Sequence, residues 1–149
     1  MKKFAVALLV FVSLCVPCLA AESLTGFKKI EIDSFIVGCQ ADVEKSGKTI
    51  TMMRPISFVG KMKRLPEEKN MNYVYVAMEM SGIDPMPTVK DRMFVETKEG
   101  RIFPVYVEES AKTKIVKGLG VDVETRFLGY HAYSYTKGPA IVVVDFESI

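Results

Sequence analysis

The chain has 149 residues, 49% of them hydrophobic, with 20 basic and 18 acidic side chains, three cysteines, one histidine and no tryptophan. That length supports one ordinary hydrophobic core. The near balance of charge excludes an overall field that would draw the protein to nucleic acid or to an anionic membrane surface.

The N-terminus sets the expected compartment. Lys2 and Lys3 precede the apolar run Phe4 to Val16, Pro17 interrupts it, and Cys18-Leu19-Ala20 supplies small residues at a cleavage site. Residues 1–20 therefore read as a cleaved signal peptide, and residues 21–149 as a single exported domain, periplasmic or secreted. The apolar run is shorter than the roughly 20 residues a bilayer-spanning helix needs, so no transmembrane segment is expected after cleavage. Lipid anchoring is disfavoured, because Leu14 and Pro17, neither of them small, precede Cys15 and Cys18. Loss of the leader removes Lys2 and Lys3 and leaves 18 charges of each sign. It also leaves Cys39 as a lone free thiol, unable to form an intramolecular disulfide. Cys39 ends the apolar segment Phe35-Ile36-Val37-Gly38, which suits a buried, inert thiol; modification and an interchain link are the alternatives.

In chain order, Lys28 to Val37 alternates polar and apolar residues before turning apolar, and reads as a strand. Ser46-Gly47-Lys48 turns into Thr49 to Met53, Pro55 interrupts, and Ile56 to Met62 forms a further strand. The basic run Lys61 to Arg64 is answered by Glu67-Glu68 and reads as a solvated loop rather than a phosphate site. Tyr73 to Met80 reads as a central strand, with Val74, Val76, Met78 and Met80 on one face. The proline-containing stretch Gly82 to Val89 must then be a loop. Arg92 to Thr97 and Arg101 to Glu108 flank Lys98-Glu99-Gly100 as a β-hairpin, glycine supplying the positive φ. Ser110 to Gly120 is the one stretch suited to a short helix. Phe127 to Tyr135 and Ala140 to Glu147 flank a second turn, Thr136-Lys137-Gly138-Pro139.

The expected class is all-β, a sandwich or small barrel. The central YVYVAMEM, the strand-turn-strand RMFVETKEGRIFPV and the closing KGPAIVVVDFES resemble the telokin-like, immunoglobulin-like sandwich domains of exported bacterial proteins. The resemblance spans about half of the mature chain. It implies an immunoglobulin-like β-sandwich of seven to eight antiparallel strands and a binding or accessory module without catalytic residues.

Few residues carry chemistry. His131, Tyr133 and Tyr135 share one strand face, which suits cross-strand packing or a flat stacking surface for a peptide or sugar. His131 is the single side chain able to titrate near neutral pH. Ser134 falls on the opposite face, and no nucleophile-elbow motif is present, so a hydrolytic triad is not expected. One histidine and one cysteine far apart make zinc unexpected, and Asp122 with Glu124 lack the ligand loop calcium prefers. No cofactor is implied. The eight methionines after the leader suit core filling, with an apolar binding surface or Cu(I) as functional alternatives. The sequence thus points to an exported, non-enzymatic module that meets a protein or peptide through a sheet face or edge. A small exported hydrolase or carbohydrate-active enzyme using scattered carboxylates, and a structural envelope lipoprotein, are the rival readings.

Overall fold

The structure is a computed structural model that describes residues 26–48, 50–69 and 72–149. The expected signal peptide, with Cys15 and Cys18, lies outside the described residues. The described elements run β1 (Lys28–Lys29), α1 (Ile32–Ser46), β2 (Arg54–Glu68), α2 (Asn72–Met80), β3 (Val89–Glu96), β4 (Ile102–Glu108), α3 (Glu109–Gly118), β5 (Glu124–Ser134) and β6 (Gly138–Ser148). None of the helices described is long and apolar enough to cross a membrane.

The strands form a closed barrel, which overturns the expected immunoglobulin-like sandwich. Their order is β1-β2-β3-β4-β6-β5, and β5 returns to β2. Closure is the work of the long β2. Its first half, from Arg54 to Lys61, pairs antiparallel with β5, and from Lys61 onward it pairs antiparallel with β3. Lys61 is the pivot, partnered by Glu124 on one side and Glu96 on the other. At the adjacent Gly60 a Cβ would fall 2.5 Å from Val95 Cγ1, so a residue without one lets the two strands converge there. The chain then makes the β3–β4 hairpin, passes through α3, and completes the barrel with β5 and β6. β4 and β6 are parallel neighbours. A five-stranded Greek-key barrel of this order, with a helix between its third and fourth strands, is the OB-fold arrangement.

The barrel interior follows strand alternation. Phe58, Met62, Met93, Val95, Phe103, Val105, Phe127, Ile141 and Val143 form one buried cluster. Lys61 to Arg64 is therefore strand, not solvated loop: Met62 is fully buried, while Lys63 reaches out to Glu96 and Asp122. The β3–β4 hairpin lies where the sequence places it, with Gly100 at φ 78.

Helices account for the other departures. From Ile32 onward the segment expected as a strand is α1, whose Ile32, Ile36 and Val43 are buried and whose Phe35 and Cys39 pack against the same core. That 3–4 spacing is a helical stripe. Glu31 caps the helix, its carboxylate accepting from the Ser34 N–H at 3.0 Å and the Ser34 hydroxyl at 2.9 Å. These bonds hold the Glu31 carboxyl below its ordinary range.

Tyr73 to Met80, expected as the central strand, lies in α2. It lays Val74, Ala77 and Met78 on a second core built from Met53, Val89, Tyr106, Ala132, Ala140 and Val142, while Val76 and Met80 point out. Tyr75 pins the helix to β3: its hydroxyl accepts from Val89 N–H at 2.7 Å and donates to Val89 O at 2.9 Å. Tyr75→Phe strips both partners from a buried residue and is expected to cost about 1–3 kcal/mol. Equilibrium urea unfolding measures this, and an unchanged midpoint would remove that latch from the account.

Candidate functional site

The trio His131, Tyr133 and Tyr135 is split by the structure. His131 and Tyr133 share a face of β5 and are 2% and 8% exposed. Tyr135 lies past the end of β5 in the turn to β6 and is 64% exposed. The cover over His131 is α1, whose Phe35 ring meets the imidazole edge-on with centroids 4.9 Å apart. Tyr133 is fixed by its backbone, which exchanges bonds with Thr51: Thr51 N–H to Tyr133 O at 2.8 Å, and Tyr133 N–H to Thr51 Oγ1 at 2.7 Å.

His131 opens on a cavity of about 320 Å³ lined by Phe35, Cys39, Asp42, Ser46, Lys48, Thr51, Met52 and Arg54. Arg54 is the cross-strand partner of His131. Burial, reinforced by the Arg54 charge, pushes the His131 pKa down to about 4. The Cys39 thiol is pushed up, chiefly by burial, with Arg54 opposing and Asp42 adding to the rise. A catalytic thiolate–imidazolium pair needs each group displaced the other way. Cys39 and His131 therefore stand as neutral thiol and neutral imidazole. Among the described residues, His131 Nε2 is buried with no hydrogen-bond partner.

This burial links stability to pH. Between the folded value of about 4 and the unfolded value near 6.5, the unfolded chain binds the extra proton, so stability rises with pH there. The contribution is complete above pH 6.5 and is lost as pH falls toward 4, amounting to about 3 kcal/mol. The single histidine gives a single imidazole Cε1–H resonance in proton NMR, expected not to titrate between pH 8 and 5. A midpoint near 6.5 would mean that the ring is solvated.

The expected loop Gly82 to Val89 frames a different depression. Ile83 to Thr88 line it with Glu108, Ser110, Tyr130 and Val144. Tyr130 lies on the face of β5 opposite His131, so loop and histidine do not form one site.

A surface missed by the sequence reading lies outside β2, β3 and β4. Cross-strand register places Arg64, Phe94 and Pro104 in one row, flanked by Lys61, Glu96 and Ile102 on one side and Glu67, Arg92 and Tyr106 on the other. Arg64 lies 4.4 Å and Arg92 4.9 Å from the centre of the Phe94 ring, both within cation–π reach. Arg92 also pairs with Glu67 at 2.6 Å, which holds that carboxyl low. Ile102 is about half exposed. The available signal was the alternation of Arg92 and Phe94 within the hairpin.

Among the described residues, one acidic group meets metal-ligand spacing: Glu31, Asp33 and Glu99 bring carboxylate oxygens within 4.8 Å. Asp33 is buried and Arg101 Nε lies 3.2 Å from it. That pair ties α1 to the β3–β4 hairpin, a structural role. Comparison with protein-family models returns no match to this chain, and comparison with curated proteins returns none either.

Proposed function

We propose that the protein is an exported, non-enzymatic binding module that holds a protein or peptide partner on the outer face of β2, β3 and β4. The observation that carries this reading is Phe94, a half-buried ring within cation–π reach of two arginines, with exposed Ile102 on the neighbouring row of the same face. Aromatic and arginine side chains concentrate binding energy in protein interfaces. In OB-fold barrels the second and third barrel strands, here β3 and β4, carry the ligand face. A polyanion fits less well, because Glu67 and Glu96 answer the nearby cations. Barrel closure favours a face over strand addition, since few strand edges remain open.

The test places a photo-cross-linking residue at Glu67 or Ile102, both in register on that face, with Lys117 on α3 as the control, in cells that produce the full chain. A discrete protein adduct at the first two positions and not the third supports the reading. Phe94→Ala is expected to weaken that complex roughly thirtyfold, the effect of an anchor residue. Equal labelling at all three positions overturns the face. An intact mass that retains residues 1–20 overturns export by signal cleavage.

A further inference from the structure

The cleft between α1 and the start of β2 gathers donors that neither the fold nor the Phe94 face uses. Three elements converge there. Phe35 and Cys39 stand one turn apart on one face of α1, Met52 comes from the approach to β2 and Arg54 from its first residue, and His131 comes from β5. Phe35 is against the His131 ring, and Cys39 is the next residue along that helix face. Two observations point independently to a ligand. Cys39 is a free thiol at intermediate exposure, open to the cavity. His131 is a nearly fully buried imidazole whose Nε2 meets no hydrogen-bond partner among the described residues.

We propose that this cleft binds one soft monovalent metal ion of the Cu(I) class, through the Cys39 thiolate, the His131 imidazole and the Met52 thioether. Thiolate and thioether are the ligands that select Cu(I), and imidazole completes a set of low coordination number. Charge separates this ion from Zn²⁺. Lys48, Arg54 and Asp42 together leave the cavity one positive charge; one thiolate with one monovalent ion adds nothing to it, whereas a divalent ion would add a second. Binding replaces the Cys39 S–H bond with an S–metal bond and releases that proton to solvent; His131 enters already neutral. No electron is transferred and the copper stays Cu(I). Met52, 62% exposed, sits at the mouth and closes over the ion last.

The experiment uses the full chain carrying Cys15→Ser and Cys18→Ser, so that Cys39 is its single thiol. Cu(I) is titrated anaerobically against bicinchoninate, and Ag(I), which is spectroscopically silent, is titrated by NMR. The expected result is one equivalent retained per chain, with His131 ring resonances shifting on Ag(I) addition and no displacement by excess Zn²⁺. Cys39→Ser abolishes retention, and Met52→Leu, conservative and at the surface, weakens it by more than about tenfold, since loss of a ligand exceeds loss of an outer-shell partner. Several results overturn the proposal: no retention, displacement by Zn²⁺, or retention that needs Cys39 but is unchanged in Met52→Leu with His131 resonances unmoved. The last pattern is that of a bare surface thiol.

Discussion

Replacing Phe127 by alanine is expected to lower stability by about 3–5 kcal/mol. Phe127 is fully buried on β5, and its neighbours leave little room for relaxation. Phe58 on β2 and Phe146 on β6 are its direct cross-strand partners, so strands on both sides hold the site open. The rings of Phe58 and Phe127 lie 5.6 Å apart, and Phe58 continues to Phe103 at 6.1 Å. Removing the Phe127 ring leaves a void in the barrel core that β2, β5 and β6 cannot fill without breaking their ladders. With total stability of a domain about 5–15 kcal/mol, a loss of this size removes between roughly a fifth and all of it, so the unfolding midpoint is expected to fall sharply. Chemical denaturation of Phe127→Ala, Phe58→Leu and the double variant measures both the loss and the coupling. A coupling of about 0.5–1.5 kcal/mol is expected of rings in this contact. Additivity, or a loss near 1 kcal/mol, would contradict a packed barrel axis.

The hairpins that supply four of the five barrel strands are visible in the sequence, because each strand has one face inside and one outside. β3 with β4 and β5 with β6 fall within a few residues of where alternation and turn chemistry place them. The helical stretch expected at Ser110 to Gly120 is α3, capped by Glu108 accepting from Ser110 N–H and Ala111 N–H. Two helices were hidden for physical reasons. In α1 the stripe Ile32, Phe35, Ile36, Cys39, Val43 is present, but Ile30 and Ile32 bring an alternating pattern to its start, and β-branched residues hold it near strand propensity. In α2 the side chains alternate in polarity, yet the face that packs is Val74, Ala77 and Met78. It becomes a helix because the outer barrel wall of Tyr106, Ala132 and Val142 offers an apolar surface for that stripe.

The site was legible to the same depth. Period two placed His131 and Tyr133 together, but could not say that α1 would lie over them. The convergence of Cys39, Met52 and His131 is a matter of tertiary contact, since 92 residues separate the cysteine from the histidine by their numbering. Nothing local in the chain announces it. The Phe94 row has the same origin: Arg64 reaches that ring from a different strand.

The same substitution, glycine to alanine, is expected to act with opposite sign at two positions, and the contrast isolates barrel closure. At Gly129 an added Cβ would stand 2.3 Å from Val142 O, 3.0 Å from Val142 C and 3.2 Å from Val143 Cα. All three are backbone atoms of β6, so no side chain can rotate away. Gly129 also sits at the register shift between Leu128 and Gly129, where β5 and β6 draw together. Alanine there forces the two strands apart and breaks the ladder beside the barrel core. The expected loss is about 3 kcal/mol, at the upper end of overpacking costs because the obstruction is main chain. At Gly38, exposed in the middle of α1, the added Cβ meets nothing within 4 Å. Alanine there is expected to stabilise by about 0.5–1 kcal/mol, through helix propensity alone. Thermal or urea midpoints of the two variants against the parent decide the matter. A tolerated Gly129→Ala would mean that β5 and β6 are not in contact at that bulge, and the barrel would lose one of its closing seams. A destabilising Gly38→Ala would mean that the Phe35–Cys39 segment is not an exposed helical turn, and the cleft over His131 would have to be redrawn.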